Sequence, residues 1–223
     1  CFDYSQQEPR LVVHYAATKF KGDEEVTEIV ERFQNNAVDF HQTVADMANI
    51  SRTQAKTINL GLFYGMGKAK LQAELGLSTK EEASKLFNKY HDSVKDLMDA
   101  ISRDGQAFGY IKTFGGRKCR FDKWEIAEWN NGNFKSPMSK ADAEASYFKK
   151  YPKATKANIR RAMTYKALNK LIQGSAADMT KQSMLDLYRE GVVPHIQIHD
   201  ELDISVESED QVKKIIEIME NAV

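Results

Sequence analysis

Close to the end of the 223-residue chain, Pro194 to Val206 reads PHIQIHDELDISV. Apolar and polar residues alternate on both sides of His199, Asp200 and Glu201, which predicts two strands joined by a tip with adjacent carboxylates. Neighbouring acids on a tight turn repel each other, and a fold that keeps them commonly offsets the repulsion with a cation. Another carboxylate, Asp3, stands where a strand end passes into a helix in FDYSQQEPR, with Pro9 suited to the first helical turn. If the two strands lie side by side, Asp3 and Asp200 can share hard divalent ions such as Mg²⁺, which take one or two carboxylates plus substrate phosphates. Two ions about 3.5–4 Å apart suit in-line attack on a phosphate. Taken alone, either stretch is a weak signal: Asp3 reads more simply as a helix cap, and the HDE tip as a solvated turn.

A third stretch adds the complementary charge. Arg52, Lys56, Leu60 and Tyr64 recur every four residues in RTQAKTINLGLFYG. On a helix they make one slowly drifting stripe about 18 Å long. Its basic half lies near the positive end of the helix dipole and can hold phosphate charge, while its apolar half offers a surface to a base. The spacing alone fits a nucleoside triphosphate lying along the helix, and fits equally an amphipathic helix with two solvated cations.

The elements that must position these residues are partly legible. Val26 to Met47 has loose helical periodicity. Ser51 with Gln54, and Thr79 with Glu82, are capping boxes; the second opens a long helix through Leu86, Phe87, Tyr90, Val94, Leu97 and Ile101. YIKTFGGRKCRF predicts two short strands around Gly115 and Gly116. Residues 122–148 have no clean period and are expected to form a surface insertion. Arg160 to Arg189 is expected to be helical, and Ser208 with Gln211 caps a last helix carrying Val212, Ile215, Ile216 and Met219 on one face. The expected fold class is α+β: a small antiparallel sheet carrying both ends of the chain, with a largely helical insertion between them.

Bulk composition excludes little. Lys plus Arg equals Asp plus Glu at 32 each, so net charge does not announce a nucleic-acid partner. The distribution is uneven: Ala145 to Ala177 holds eight basic residues and no acid, whereas His195 to Val223 is mostly acidic. Cys1 and Cys119 give no disulfide framework or zinc pattern and fit a reducing cytoplasm. No apolar run reaches the length of about 18 residues that a membrane helix needs. The chain is expected to be one piece of a longer polypeptide.

In that order, DYSQQEPR, RTQAKTINLGLFYG and QIHDEL resemble the three polymerase motifs of family A DNA polymerases, the DNA polymerase I family. The resemblance runs from Asp3 to the final helix and implies a right-hand fold, whose palm sheet carries the metals and whose helical fingers close on the nucleotide. The expected division is palm with the first metal motif over 1–25, fingers over 26–113, a palm-side hairpin and surface insertion over 114–159, and palm with the second metal motif over 160–223. Thumb and exonuclease are not expected in this stretch, which is expected to be poorly active or inactive alone.

By the resemblance, Asp3 and Asp200 match the metal-binding aspartates of a two-Mg²⁺ DNA-directed DNA polymerase, with the Tyr4 carbonyl as a further ligand. Glu8 matches the acid that obstructs a ribose 2′-OH. Arg52 and Lys56 match triphosphate contacts, and Lys56 also a proton donor to departing pyrophosphate. His41, in VDFH, resembles a histidine that meets the phosphates. Leu60 and Tyr64 count among the dNTP contacts, and Tyr64 and Gly65 match the end of the fingers helix, near the template base. Asn169 and Gln173 match side chains on the primer–template minor groove, and His199 and Glu201 match neighbours of the primer end. The implied partners are primer–template DNA, a dNTP and the rest of the polymerase, with no membrane. The implied setting is cytoplasmic, in the bacterial host if the protein is phage-encoded.

Departures from the pattern carry their own expectations. Leu60 replaces the usual Phe or Tyr and cannot stack as a ring does; rejection of nucleotides lacking a 3′-OH is expected, against which comparable dideoxy- and deoxynucleotide uptake would count. Tyr165 replaces an Arg of bacterial members, and Pro9 a Leu. The shortened stretch between His41 and Arg52 and the long 122–148 segment resemble bacteriophage polymerases. A single-subunit RNA polymerase is the nearest rival, but its family generally has HDS rather than HDE and no match to Glu8. A non-catalytic nucleic-acid-binding remnant is the other.

Overall fold

The computed structural model describes residues 1–223 except 35–38, 40, 43–44, 46–49, 64–66, 128–136 and 223; side chains at 25, 29, 59–63, 75, 86 and 89–94 are also outside the description. Tyr64 and Gly65 lie outside the described residues, and so does the Leu60 side chain.

The first sheet brings the two ends of the described chain together. Strand β1 (Phe2–Asp3) pairs antiparallel with β7 (Glu201–Asp203), which pairs in turn with β6 (Ile196–Ile198). Opposed residues share a face. Phe2 and Leu202 therefore face one way, onto helices α7 (Ala167–Arg189) and α8 (Glu209–Glu220), where Leu202 is buried with Leu187, Ile215 and Met219. Asp3, Glu201, Ile198 and Ile196 occupy the other face, and Ile196 and Ile198 remain 54% and 51% exposed. The hairpin alternates as expected, but its isoleucines line the open face of the sheet and not the core.

A second core joins helix α1 (Gln7–Lys19) to α7 and the long helix α5 (Lys80–Phe108). Its buried residues include Leu11, Val12, Leu97, Ile101, Ile111, Phe121, Leu168, Leu171 and Ile172. Both halves of the Thr79 capping box are formed, and α5 runs past Ile101 until Gly109, whose φ of 76° ends it with a left-handed cap. Helix α2 (Glu24–Gln34) packs on α1, helped by Arg10 Nη1 donating to the Phe33 carbonyl at 3.3 Å. Helices α3 (Arg52–Phe63) and α4 (Lys68–Leu75) follow, α3 opening on the predicted Ser51–Gln54 box: Gln54 N donates to Ser51 Oγ, and Ser51 N to Gln54 Oε1.

The expected hairpin forms from β2 (Tyr110–Lys112) and β3 (Lys118–Arg120). Two expectations need correction. Residues 122–148 are more than a featureless insertion: β4 (Trp124–Ile126) lies in them, and α6 (Lys140–Lys150) starts there with Ser139 as its N-cap. Helix does not begin at Arg160 either. Ile159–Arg161 forms β5, paired with β4, followed by a 3₁₀ turn at Thr164–Lys166 before α7 starts. Arg160 favours the strand by binding Glu125 across it at 2.7 Å, and Arg161 lies over the Trp124 ring. Cross-strand partners so far apart in sequence leave no local signal.

Candidate active site

The β6–β7 register pairs Ile198 with Glu201, so the connecting turn is His199 and Asp200 alone. His199 adopts a left-handed φ of 54°, and its carbonyl accepts from Gln197 Nε2 at 2.6 Å. Glu201 belongs to β7 and stands opposite Asp3, which sets Asp200 one residue beyond that pair.

Glu8 reaches the same place from α1. Gln6, at φ 55°, turns the chain into the helix, and the buried Gln7 fixes its start by donating Nε2 to the Ala176 carbonyl of α7 at 3.3 Å. A cleft of about 390 Å³ is lined by Glu8, Gln173, His199 and Asp200, together with Gln7 and Lys181. Asp3 lines a wider neighbouring cavity with Tyr4 and Arg10. The Asp200 carboxyl is held above its usual range, by burial first; its own N–H opposes this, and the charges of Asp3 and Glu8 raise it further. Four predicted site residues thus share one cleft, with Asp3 close enough to act on Asp200.

These oxygen donors suit a hard divalent cation, which would relieve the same repulsion. The Tyr4 side chain is committed elsewhere: its hydroxyl bonds Ser183 and donates to the Met219 carbonyl at 2.7 Å, leaving the main-chain carbonyl as its available donor toward a metal. Burial raises the Tyr4 phenol, so it stays neutral. Among the described residues, the tight three-residue group of metal-type donors is Cys1, Glu201 and Asp203, with ligand atoms within 4.8 Å of one another. It lies on the same open face as Asp3 and is closed by a 2.7 Å bond from Cys1 Sγ to Glu201 Oε1.

A basic group forms on α3 and the segment before it. Arg52 and Lys56 are exposed, whereas Ala55 and Ile58 on the other side of the helix are buried. His41 is buried beside them, and its pKa is lowered by burial first, partly opposed by Asp39 and lowered again by the charges of Arg52 and Lys56. Arg52 Nε donates to Asp39 Oδ2 at 2.6 Å. Sequence reading passed over Asp39, although its place two residues before His41 in VDFH was a usable signal.

Asn169 and Gln173 lie one turn apart at the start of α7, both half-buried, while Tyr165 and Lys170 are exposed around them. Sequence reading also missed what holds this helix. The β2–β3 turn is keyed to α7 by Arg117, whose Nε donates to Asp178 at 2.8 Å and whose Nη2 donates to the Gly174 carbonyl at 2.6 Å.

The profile described as DNA polymerase family A matches residues 1–223. The chain belongs to DNA polymerase family A. A DNA-directed DNA polymerase of Pseudomonas phage M6 is 32% identical over 97% of this chain and 34% of its own length. DNA polymerase I of Caldicellulosiruptor bescii is 31% identical over 99% of this chain and 24% of its own. Among solved structures, the POL domain of Pol1 from M. smegmatis, in complex with DNA primer-template and dNTP, superposes with a TM-score of 0.66 at 26% identity, over 99% of this chain and 36% of that one. The chain thus spans about a third of the phage relative's length. The α+β fold with small antiparallel sheets is that of a family A polymerase domain, and among the described residues no helix is long and apolar enough to cross a membrane.

Proposed function

We propose that this family A chain carries the nucleotidyl-transfer centre of a template-directed DNA polymerase, adding dNTPs to a primer 3′-OH. The observation that carries the reading is the cleft in which Asp200, Glu8, His199 and Gln173 meet, with Asp3 acting on Asp200 from the adjoining strand. Asp3, Asp200 and the Tyr4 carbonyl would hold two Mg²⁺ ions. When bound, the ions supply charge stabilisation to the entering and leaving oxygens.

The chain's own groups do the positioning. Arg52, Lys56 and His41 hold the triphosphate, and Lys56 gives a proton to the departing pyrophosphate oxygen. Glu8 occupies the space a ribose 2′-OH would need, which excludes ribonucleotides. Leu60 and Tyr64 pack against the nucleotide. Asn169 and Gln173 read the minor groove of the primer–template, and His199 and Glu201 border the primer end. Residues 26–113 act as fingers on a palm built from 1–25 and 160–223, with 114–159 beside it. The partners are primer–template DNA, dNTP and the remaining polymerase domains, in the cytoplasm, that of a bacterial host if the protein is phage-encoded.

The test is primer extension after grafting residues 1–223 into the thumb and flanking palm of a complete relative, comparing wild type with Asp200→Ala and dNTPs with rNTPs. Extension with dNTPs alone, abolished by the substitution, supports the reading. A folded graft that binds primer–template but extends nothing overturns it in favour of a binding module.

A further inference from the structure

Asp39 makes two kinds of contact at once. Its Oδ1 accepts from the backbone N–H groups of His41 and Gln42 at 3.0 and 3.1 Å. Its Oδ2 accepts from Arg52 Nε at 2.6 Å. Burial alone would raise the Asp39 carboxyl, but the Arg52 guanidinium and those two amides outweigh it and keep the group ionised. A charge-assisted bond this short is among the stronger hydrogen bonds a side chain makes. Both partners are nevertheless partly open to water, at 54% for the Arg52 side chain and 37% for Asp39, so the bond can exchange.

We propose that Asp39 is a built-in competitor for the nucleotide triphosphate at Arg52. In the nucleotide-free protein its carboxylate occupies the guanidinium, and a triphosphate enters by exchanging the Arg52–carboxylate bond for an Arg52–phosphate bond. This rests on the assignment of Arg52 to the triphosphate. A triphosphate brings several charges and many acceptor oxygens against one carboxylate, so it can win the exchange. A ligand with a single phosphate that does not reach Arg52 gains nothing from displacing Asp39. Such a device selects by repelling weak competitors as well as by attracting the substrate. It also holds Arg52 in one place, since the carboxylate that engages it is fixed by the two amides on its other oxygen.

Asp39→Asn tests the idea cleanly, because the amide oxygen still accepts from His41 and Gln42 while the charge is lost. Binding of dATP, inorganic tripolyphosphate and dAMP would be measured by calorimetry without primer–template, so that nothing turns over. For the first two ligands Asp39→Asn is expected to tighten binding about two- to fivefold, the range of an exposed ion pair, and to leave dAMP unchanged. Arg52→Ala is expected to weaken triphosphate binding, and in the Asp39→Asn/Arg52→Ala double variant the first substitution should have no further effect. If Arg52→Ala weakens binding but Asp39→Asn leaves it unchanged or weaker, Asp39 orients Arg52 and does not compete, and the proposal falls alone. If Arg52→Ala has no effect on tripolyphosphate, the triphosphate assignment falls, and the proposal with it.

Discussion

Asp200 shows at the scale of one residue how the position proposed to bind metal works against stability. Its carboxyl is raised by burial and by Asp3 and Glu8. A group whose folded pKa lies above its unfolded value loses stability as pH rises through that window, so at neutral pH the ionised Asp200 is a cost to the fold. Asp200→Asn is therefore expected to raise the melting temperature of the metal-free protein by a few degrees. If Asp200 holds Mg²⁺ as proposed, added Mg²⁺ stabilises the wild type and the same variant loses that gain. A thermal melt with and without Mg²⁺ reads both effects, and a lower metal-free melting temperature would contradict the repulsion. His41 has the opposite sign. Its folded pKa is depressed below the ordinary value of about 6.5, so the unfolded chain takes up a proton first as pH falls. Stability should decline as pH drops below about 6.5, and His41→Gln should flatten that part of the profile between about pH 7.5 and 5.5.

Among the elements, the β2–β3 hairpin and α7 are fastened with little slack. Phe114 N donates to the Tyr15 hydroxyl at 3.1 Å, and the same hydroxyl lies 2.6 Å from Ser175 Oγ. A single tyrosine of α1 thus touches both the hairpin turn and α7, two residues past Gln173. Among the described residues the buried Asp178 Oδ2 has no hydrogen-bond partner, so that carboxylate depends on Arg117 at its other oxygen. Arg117→Ala is expected to destabilise by about 1–3 kcal/mol, the cost of leaving a buried polar group unmatched. Gly115 has no room for a side chain, because a Cβ there would stand 2.7 Å from Asp178 Oδ2. Gly115→Ala is expected to cost about 1–3 kcal/mol by overpacking. Urea denaturation measures both; a change within experimental error for both variants would mean the hairpin is not fastened through Asp178.

For the whole molecule, a net charge of zero conceals a polarity of charge. The unit formed by β4, α6 and β5 leads through the 3₁₀ turn into the α7 start that carries Asn169. Lys149, Lys153 and Lys156 are exposed on it. If this unit follows the phosphate backbone of bound duplex, replacing those three lysines by Ala should shallow the dependence of log Kd on log salt, by about 0.9 for each phosphate that is no longer neutralised. A titration of primer–template binding between low and moderate KCl measures the slope. An unchanged slope makes these lysines a solvated face.

The sequence by itself determined the local chemistry. Capping boxes at Ser51 and Thr79, the two glycines of the hairpin and the alternation around His199 each act through neighbours only a few residues away, and each formed where expected. The three motifs, in order, were enough for the family. Sequence could not determine that Arg160 would choose a strand, because its partner Glu125 is 35 residues distant. Nor could it tell which face of β6 would stay open, since alternation reads the same from either side. Tertiary structure alone decided that Asp39 would hold Arg52, that Arg117 would meet Asp178, and that Glu8 and Asp200 would share a cleft. Those contacts are made by charge and packing between elements, and no local preference encodes them.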